Sequence, residues 1–348
     1  MTSLYFSRDK EYFYKGYGID DFRDIFREWV GTTLDEHPNL VLPQGILIDK
    51  NVLWFKYRKH KIYSDQEKFN CGQIIQIMRD MACGIGQLHE AGIIHRDIKP
   101  GNMCFIDEGK SMRAAIIDFN LCLNTNFGIA GSKLYETVIT WPYRPPEIWR
   151  MSNNEITNNH EFSIDIFALG MSMTQFMIDG FYEKIKKLIG IDDEFLFGEE
   201  ENKRLEEDFE SKFERVPDLF RDGRSTRSRT FLTKIIKLCI NVDPKKRPSA
   251  KELVDMIDNF RRPIKIRNIQ PYRPAGIQWR KIKYEKSKKI MERKNGQVTF
   301  PDMKHDILPS TKKCISKLCE VDNMYFGGDH MKNFSLIDVI TIIKEMNN

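Results

Sequence analysis

Apolar positions in the first part of the chain fall in short runs, and those further on recur at helical spacing. Residues 4–15, LYFSRDKEYFYK, hold two aromatic runs around a polar turn, the pattern of a β-hairpin. Over 20–36, Phe22, Ile25, Phe26, Trp29 and Val30 share one side of a predicted helix. HPNLVLPQGILIDKNVLWFKY (37–57) gives two apolar runs with a turn at Asp49-Lys50-Asn51, which predicts paired strands. From 71 to 90, Ile74, Ile77, Met81, Ile85 and Leu88 recur at three- and four-residue steps, so this stretch reads as a helix. MCFI and AAII flank the polar turn DEGKS as a further hairpin. Residues 161–260 are mostly helical, with a charged loop around 198–230, and no internal repeat is evident. Strands first and helices afterwards predict an α+β arrangement, a small sheet unit followed by a larger helical one.

Composition narrows the class. The 348 residues are 41% hydrophobic and 30% charged, and no run of eighteen apolar residues occurs, so no membrane span is expected. The start, MTSLYFSRDKEYF, lacks the basic flank and apolar centre of a signal peptide. The seven cysteines (71, 83, 104, 122, 239, 314 and 319) are scattered, which fits reduced thiols and an intracellular protein, in cytoplasm or nucleus. Cys314 and Cys319 do not have a usual zinc spacing and the histidines form no ligand cluster, so a thiolate-held metal is not expected. The net charge of +5 is uneven: residues 261–294 carry thirteen Lys or Arg against Glu285 and Glu292, a local +11, and the rest is −6. Such a segment suits an acidic partner or a nucleic acid, or is a solvated extension wrapping the larger unit. Residues 301–348 end in FSLIDVITIIKEM, an apolar helix that should pack on something.

The chemistry concentrates in HRDIKPGN, residues 95–102. Phosphoryl transfer needs a carboxylate to orient and accept from the attacking hydroxyl, a cation for the moving phosphate, and an oxygen ligand for magnesium. Asp97, Lys99 and Asn102 supply these in order. The loop resembles the catalytic loop of eukaryotic-type protein kinases, with Lys99 in the form typical of serine/threonine kinases. The resemblance implies that Asp118, at the head of DFN where the family has Asp-Phe-Gly, is a metal ligand bridging the nucleotide phosphates. Asn120 replaces the glycine. Asparagine tolerates a positive φ nearly as well, so the turn is expected to survive.

Further motifs follow in order. TVITWPYRPPE (137–147) resembles the end of the activation loop, with Thr140 in the place of the threonine that bonds the catalytic aspartate and lysine. SIDIFALG (163–170) resembles the buried central helix, where Asp165 anchors the catalytic loop and Phe167 replaces a commoner tryptophan. NVDPKKRPSAKEL (241–253) supplies Arg247, the implied structural ion-pair partner of Glu147. Tyr143-Arg144 and YEKIKKLIGIDDEF (182–195) look most like the cyclin-dependent and MAP kinases, the CMGC group. That group leans toward proline after the phosphorylated residue. Arg96 implies control by activation-loop phosphorylation. Tyr135 and Thr137 are the candidate sites, or plain loop residues.

Upstream, HPN (37–39) resembles the family's helix-to-strand junction, and nine residues before its start falls Glu28. The resemblance implies a pair between this glutamate and a phosphate-holding lysine. Lys15 is the candidate, with YFYK in the place of Val-Ala-Ile-Lys; Lys10 is the alternative, and a solvated strand-end lysine the plainer reading. KGYG (15–18) follows the lysine and lacks the Gly-x-Gly-x-x-Gly spacing. Fourteen residues before Lys15 leave room for one strand, so either the reading frame starts earlier or the sheet lobe is trimmed, and weak nucleotide affinity is expected. The implied fold is α+β, a bilobal protein-kinase-like fold with a reduced N-terminal sheet lobe (1–56), a larger helical catalytic lobe (57–260) and a basic extension with a terminal helix (261–348). The implied activity is a serine/threonine protein kinase using ATP and Mg2+ on a protein substrate. Asp97, Lys99 and Thr140 would be catalytic, Lys15 and Glu28 would hold nucleotide, and Asn102 and Asp118 would bind metal. A pseudokinase scaffold and a small-molecule phosphotransferase are the competing readings.

Overall fold

The aromatic runs of the first eighteen residues pair with each other. In the computed structural model β1 (Ser3–Phe6) and β2 (Tyr12–Gly18) are antiparallel, with Phe6 opposite Phe13 and Leu4 opposite Lys15. Ser7 closes the turn. Its N–H donates to the Tyr12 carbonyl at 3.1 Å, and its hydroxyl accepts from the Tyr12 N–H at 3.0 Å. β3 (Gly45–Asp49) and β4 (Val52–Arg58) make the second hairpin, and the sheet order is β1-β2-β4-β3. Alternation in β4 buries Leu53, Phe55 and Tyr57 on one face. A Cβ on Gly16 would come within 2.6 Å of the Trp54 ring, so the first glycine of KGYG serves this cross-strand packing.

The residues described are 3–7, 11–18, 25, 28, 34, 36–49, 52–65, 67–107, 109, 112–124, 139–150, 162–190, 209–220 and 226–261. Of the predicted helix at 20–36, Ile25 and Glu28 are helical positions. Lys10, Tyr135, Thr137, Cys314, Cys319, residues 198–208 and 221–225 of the predicted loop, the basic segment beyond Arg261 and the predicted terminal helix lie outside the described residues. The described part of that loop, 209–220 and 226–230, is largely helical and not loop.

One apolar run behaves differently from the expectation. Leu40–Leu42 does not extend the β3–β4 hairpin. Leu40 instead bridges in parallel to Ile116, and the Val41 N–H donates to the Ile116 carbonyl at 2.9 Å. Pro43 offers no N–H to a continuing ladder, which separates this run from β3. Asn39 completes the junction by donating its amide to the Ala114 carbonyl at 2.8 Å. The sheet is thereby tied to the hairpin of β7 (Met103–Asp107) and β8 (Met112–Ile116), whose third neighbour is the short β5 (Lys61–Ile62).

The long predicted helix is α1 (Cys71–Glu90). Asn70 and Gln73 cap it reciprocally: the Asn70 side chain accepts from the Gln73 N–H at 3.0 Å, and the Gln73 side chain accepts from the Asn70 N–H at 2.9 Å. Ile74, Ile77, Met78, Met81, Ile85 and Leu88 enter the main core. After α2 (Pro146–Arg150), α3 (Ser163–Met177) is buried along nearly its whole length. Its Ser172 and Thr174 hydroxyls donate to the carbonyls of Ala168 and Gly170, so burial leaves neither donor unmet. Gly170 lets α3 approach the end of a later helix, since a Cβ there would lie 2.8 Å from that of Cys239. α4 (Phe181–Ile189), α5 (Phe209–Glu214), α6 (Arg227–Cys239) and α7 (Ala250–Arg261) complete the described helices, and Arg79 of α1 bonds Asp258 of α7 through both carboxylate oxygens.

Arg247 and Glu147 form a two-pronged pair at 2.6 and 2.7 Å. The arginine side chain is wholly buried, lies 4.8 Å over the Phe167 ring, and also donates to the Asn241 carbonyl at 2.7 Å. Arg247→Ala leaves Glu147 without its cation and a void beside Phe167. Its expected cost is about 3–5 kcal/mol, read from urea unfolding of both proteins; a loss within the error of that measurement would show the pair to be dispensable.

Among the described cysteines Cys71 is half-buried and Cys83, Cys104, Cys122 and Cys239 are buried, all as free thiols. Burial pushes the Cys83 thiol up to about 11 and Cys104 and Cys239 to about 12, which leaves them unreactive near neutral pH. Among the described residues no helix is long and apolar enough to cross a membrane.

Candidate active site

The HRDIKPGN loop leaves β6 (Ile93–Ile94), which pairs with β9 (Leu123–Asn124), and runs through a 3-10 turn at Pro100–Asn102 into β7. Asp165 on α3 fixes its start. This fully buried carboxylate accepts from the His95 N–H at 2.8 Å, the Arg96 N–H at 2.9 Å and His89 Nε2 at 2.9 Å. Burial pushes the Asp165 carboxyl up, but the hydrogen bond and charge of His89 and the backbone donor of His95 outweigh it and hold the group below the usual range. Arg96 has a left-handed backbone (φ 65°) and its Nε donates to the Leu121 carbonyl at 2.7 Å.

Three side chains close a ring beyond this anchor, and Asn102 braces it. The Thr140 hydroxyl donates to Asp97 Oδ1 at 2.6 Å and accepts from Lys99 Nζ at 2.8 Å. Lys99 Nζ also lies 2.8 Å from Asp97 Oδ2, which accepts from the Asn102 amide at 2.7 Å. The second amide contact of Asn102 is to the Asp97 carbonyl at 2.8 Å. Asp97 is thus held in one orientation by groups from the loop and from the segment before α2.

Asp118 comes alongside because the Ile117 N–H donates to the Asn102 carbonyl at 3.0 Å. Asp118 Oδ1 lies 2.6 Å from Lys15 Nζ, and Lys15 Nζ lies 3.0 Å from Glu28 Oε2. Burial lowers the Lys15 ammonium, but Glu28 and Asp118 raise it further, and the net direction is upward. Burial raises the Asp118 carboxyl, and Lys15 more than reverses this. Both groups therefore keep their charge at neutral pH. Lys15, and not a solvated lysine, is the partner that the structure gives Glu28.

The turn after β8 differs from its expectation. The positive φ lies at Asp118 (68°), and Asn120 is not among the positive-φ residues. Aspartate tolerates this region through local hydrogen bonding, and here the Asn120 N–H donates back to Asp118 Oδ1 at 3.4 Å. Phe119 is fully buried against His95, with ring centroids 5.7 Å apart. Two residues of the site escaped the sequence reading. Tyr17 and Tyr57 both donate their hydroxyls to Glu28, Tyr17 to Oε2 at 2.9 Å and Tyr57 to Oε1. The available signal was strand alternation, which puts Tyr17 on the same face as Lys15.

Magnesium takes oxygen donors in an octahedron and keeps several waters, so one or two protein ligands beside phosphate suffice. Asp118 and Asn102 fit this role: both amide hydrogens of Asn102 turn to Asp97, which leaves its side-chain oxygen as the donor. Among the described residues no group of three or more His, Cys, Asp or Glu could hold a metal by itself.

Comparison with known proteins agrees with this geometry. A probable serine/threonine-protein kinase of Dictyostelium discoideum is 27% identical over 147 residues, 38% of this chain and 10% of its own length. The Arabidopsis thaliana protein Impaired in BABA-induced sterility 1 is 28% identical over 150 residues, 41% of this chain and 20% of its own. The match therefore spans a fifth or less of each relative. The family model described as "Protein kinase domain" matches residues 18–257, which contain Glu28, Asp97, Lys99, Asn102, Asp118 and Thr140 and begin three residues after Lys15. Since that match covers more than half of the 348 residues, this chain belongs to the protein kinase domain family.

Proposed function

We propose that the chain transfers the γ-phosphoryl group of ATP to serine or threonine hydroxyls of a protein substrate. The observation that carries this is the closed ring of Asp97, Lys99 and Thr140, braced by Asn102 and set beside the Lys15–Asp118 pair. Asp97 Oδ1 and Oδ2 orient the incoming hydroxyl and accept its proton as the oxygen–phosphorus bond forms. The bond from the γ-phosphorus to the β,γ-bridging oxygen breaks, and ADP departs with that electron pair. Lys99 sits where it offsets charge on the phosphoryl oxygens in flight, and Lys15 holds the phosphates behind it. Asn102 and Asp118 are the residues that would hold Mg2+, which neutralises phosphate charge when bound.

In the proposed division, residues 1–56 form a reduced sheet lobe, 57–260 a helical catalytic lobe and 261–348 an extension. β4 runs on to Arg58, so its last two residues belong with the sheet. Tyr143 and Arg144 support a place near the cyclin-dependent and MAP kinases. The free, mostly buried thiols suit a reducing compartment.

A scaffold without turnover is the second reading. The SRDKE connection between β1 and β2 holds no glycine, and Lys15 is already engaged by two carboxylates. Incubation with γ-labelled Mg-ATP and a mixed basic protein substrate distinguishes them. Label on serine or threonine is expected. No label, together with no nucleotide-dependent rise in melting temperature at millimolar ATP, would leave the scaffold.

A further inference from the structure

Glu28 is completely buried, and among the described residues that bond it Lys15 carries the positive charge. A carboxylate in that position is costly unless its lone pairs are met. Lys15 and Tyr17 serve Oε2, and Tyr57 serves Oε1. The donors come from neighbouring strands whose register is fixed: on β2–β4, Phe13 lies opposite Tyr57, Lys15 opposite Phe55 and Tyr17 opposite Leu53. Lys15 and Tyr17 are two residues apart on one face of β2, and Tyr57 reaches the same carboxylate from β4.

The rings themselves are braced. Tyr57 stacks on Phe13 with centroids 5.1 Å apart and planes 13° from parallel. Tyr17 meets Phe55 edge-on at 5.9 Å and 80°. Both tyrosines are buried, at 0% and 3% exposure. Neither hydroxyl can turn away from Glu28 without moving a packed ring. The competing anion is Asp118, which lies closer to Lys15 than Glu28 does, 2.6 against 3.0 Å. A glutamate held by the lysine alone would have to win that contest to stay in place.

We propose that Tyr17 and Tyr57 are positioning residues: their hydroxyls hold the Glu28 carboxylate beside Lys15, so that the lysine stays shared between Glu28 and Asp118. On the phosphoryl-transfer reading, this sharing aims the ammonium at the nucleotide phosphates and leaves Asp118 only part of its hydrogen-bond donors. The placement of Glu28 itself does not depend on that reading. Burial and the neighbouring Glu28 push the Tyr57 phenol well above its ordinary value, so it remains a protonated donor throughout the working pH range.

Phenylalanine is the right probe, because it keeps each ring and removes only the donor. In the full chain, Tyr17→Phe, Tyr57→Phe and the double variant are compared for acylation of Lys15 by a small amine-reactive reagent, mapped by peptide mass spectrometry. Release of Glu28 leaves the Lys15 amine held by one carboxylate where two now cover it, so the nitrogen is more accessible and its labelling rate is expected to rise roughly tenfold in the double variant. In a Glu28→Gln background the rate is already raised and the tyrosine changes add nothing. An unchanged or lowered rate, or an equal gain in both backgrounds, overturns the proposal. In the catalytic arm, kcat falls roughly ten- to a hundredfold with the KM of the protein substrate unmoved. Absence of phosphate transfer in every form would dismiss the kinase reading and leave the labelling result to decide the role of the tyrosines.

Discussion

Asp97→Asn is expected to lower phosphate transfer roughly a thousandfold, within the range that a positioned general base contributes. The fold around it should survive. An amide at this position can turn its oxygen toward Asn102 and Lys99, which lie 2.7 and 2.8 Å from Oδ2, and present its NH2 to the Thr140 oxygen. The ring of contacts is therefore largely kept, and what disappears is the negative charge and the ability to take a proton. Lys99 also loses its nearest anion. Initial rates with labelled ATP measure the effect, and thermal melts run alongside guard against misfolding. A variant that is as stable as the parent and retains a tenth or more of its rate would mean that Asp97 is not the base.

How far the sequence led can be judged from particular residues. The helix at 71–90 was readable to the residue, because a periodic apolar face and the Asn70–Gln73 cap are both local features. The hairpins at 3–18, 45–58 and 103–116 were readable for the same reason, alternation on either side of a polar turn. Leu40–Leu42 looked equally strand-like, but its partner is Ile116, seventy-six residues on from Leu40, and nothing local announces such a bridge. The loop at 95–102 was legible as chemistry because one short stretch holds a carboxylate, a cation and an amide. Thr140, forty-three residues beyond Asp97, was reached through the resemblance of TVITWPYRPPE and not through spacing, and the structure brings its hydroxyl to Asp97 Oδ1.

Lys15 was one of two lysines that the sequence offered to Glu28. Strand register decided between the possible facing residues, and register depends on the partner strand, which a single strand's pattern does not reveal. The same limit hid Tyr17 and Tyr57, which look like ordinary strand aromatics until β2 and β4 are laid side by side. The positive φ was assigned to Asn120 on residue type alone. It falls at Asp118 because the backbone after β8 must turn there to bring that carboxylate beside Asn102 and Lys15, and residue preference yields to that demand.

Asp118→Asn should be nearly as damaging to transfer as the loss of Asp97, and it carries a distinct signature in the response to magnesium. The Asp118 side chain is about a third exposed and its Oδ1 is 2.6 Å from Lys15 Nζ. Without metal that carboxylate does two unfavourable things to an incoming triphosphate: it occupies the lysine that should meet the phosphates, and it repels them. Magnesium, held by Asp118 and Asn102, would reverse both effects by neutralising the negative charge that meets there. The parent protein should therefore gain melting temperature with ATP only when magnesium is present. The neutral amide frees Lys15 and removes the repulsion, so the variant should be stabilised by ATP equally well with magnesium or with a chelator. Its transfer rate should still fall, roughly a hundredfold or more, because the charge that the metal brings to the transferring phosphoryl group is no longer anchored. Melting curves of both proteins with ATP, each with and without magnesium, give the answer directly. If the variant needs magnesium for nucleotide stabilisation as much as the parent does, the metal is held elsewhere and Asp118 serves only as a counter-charge to Lys15.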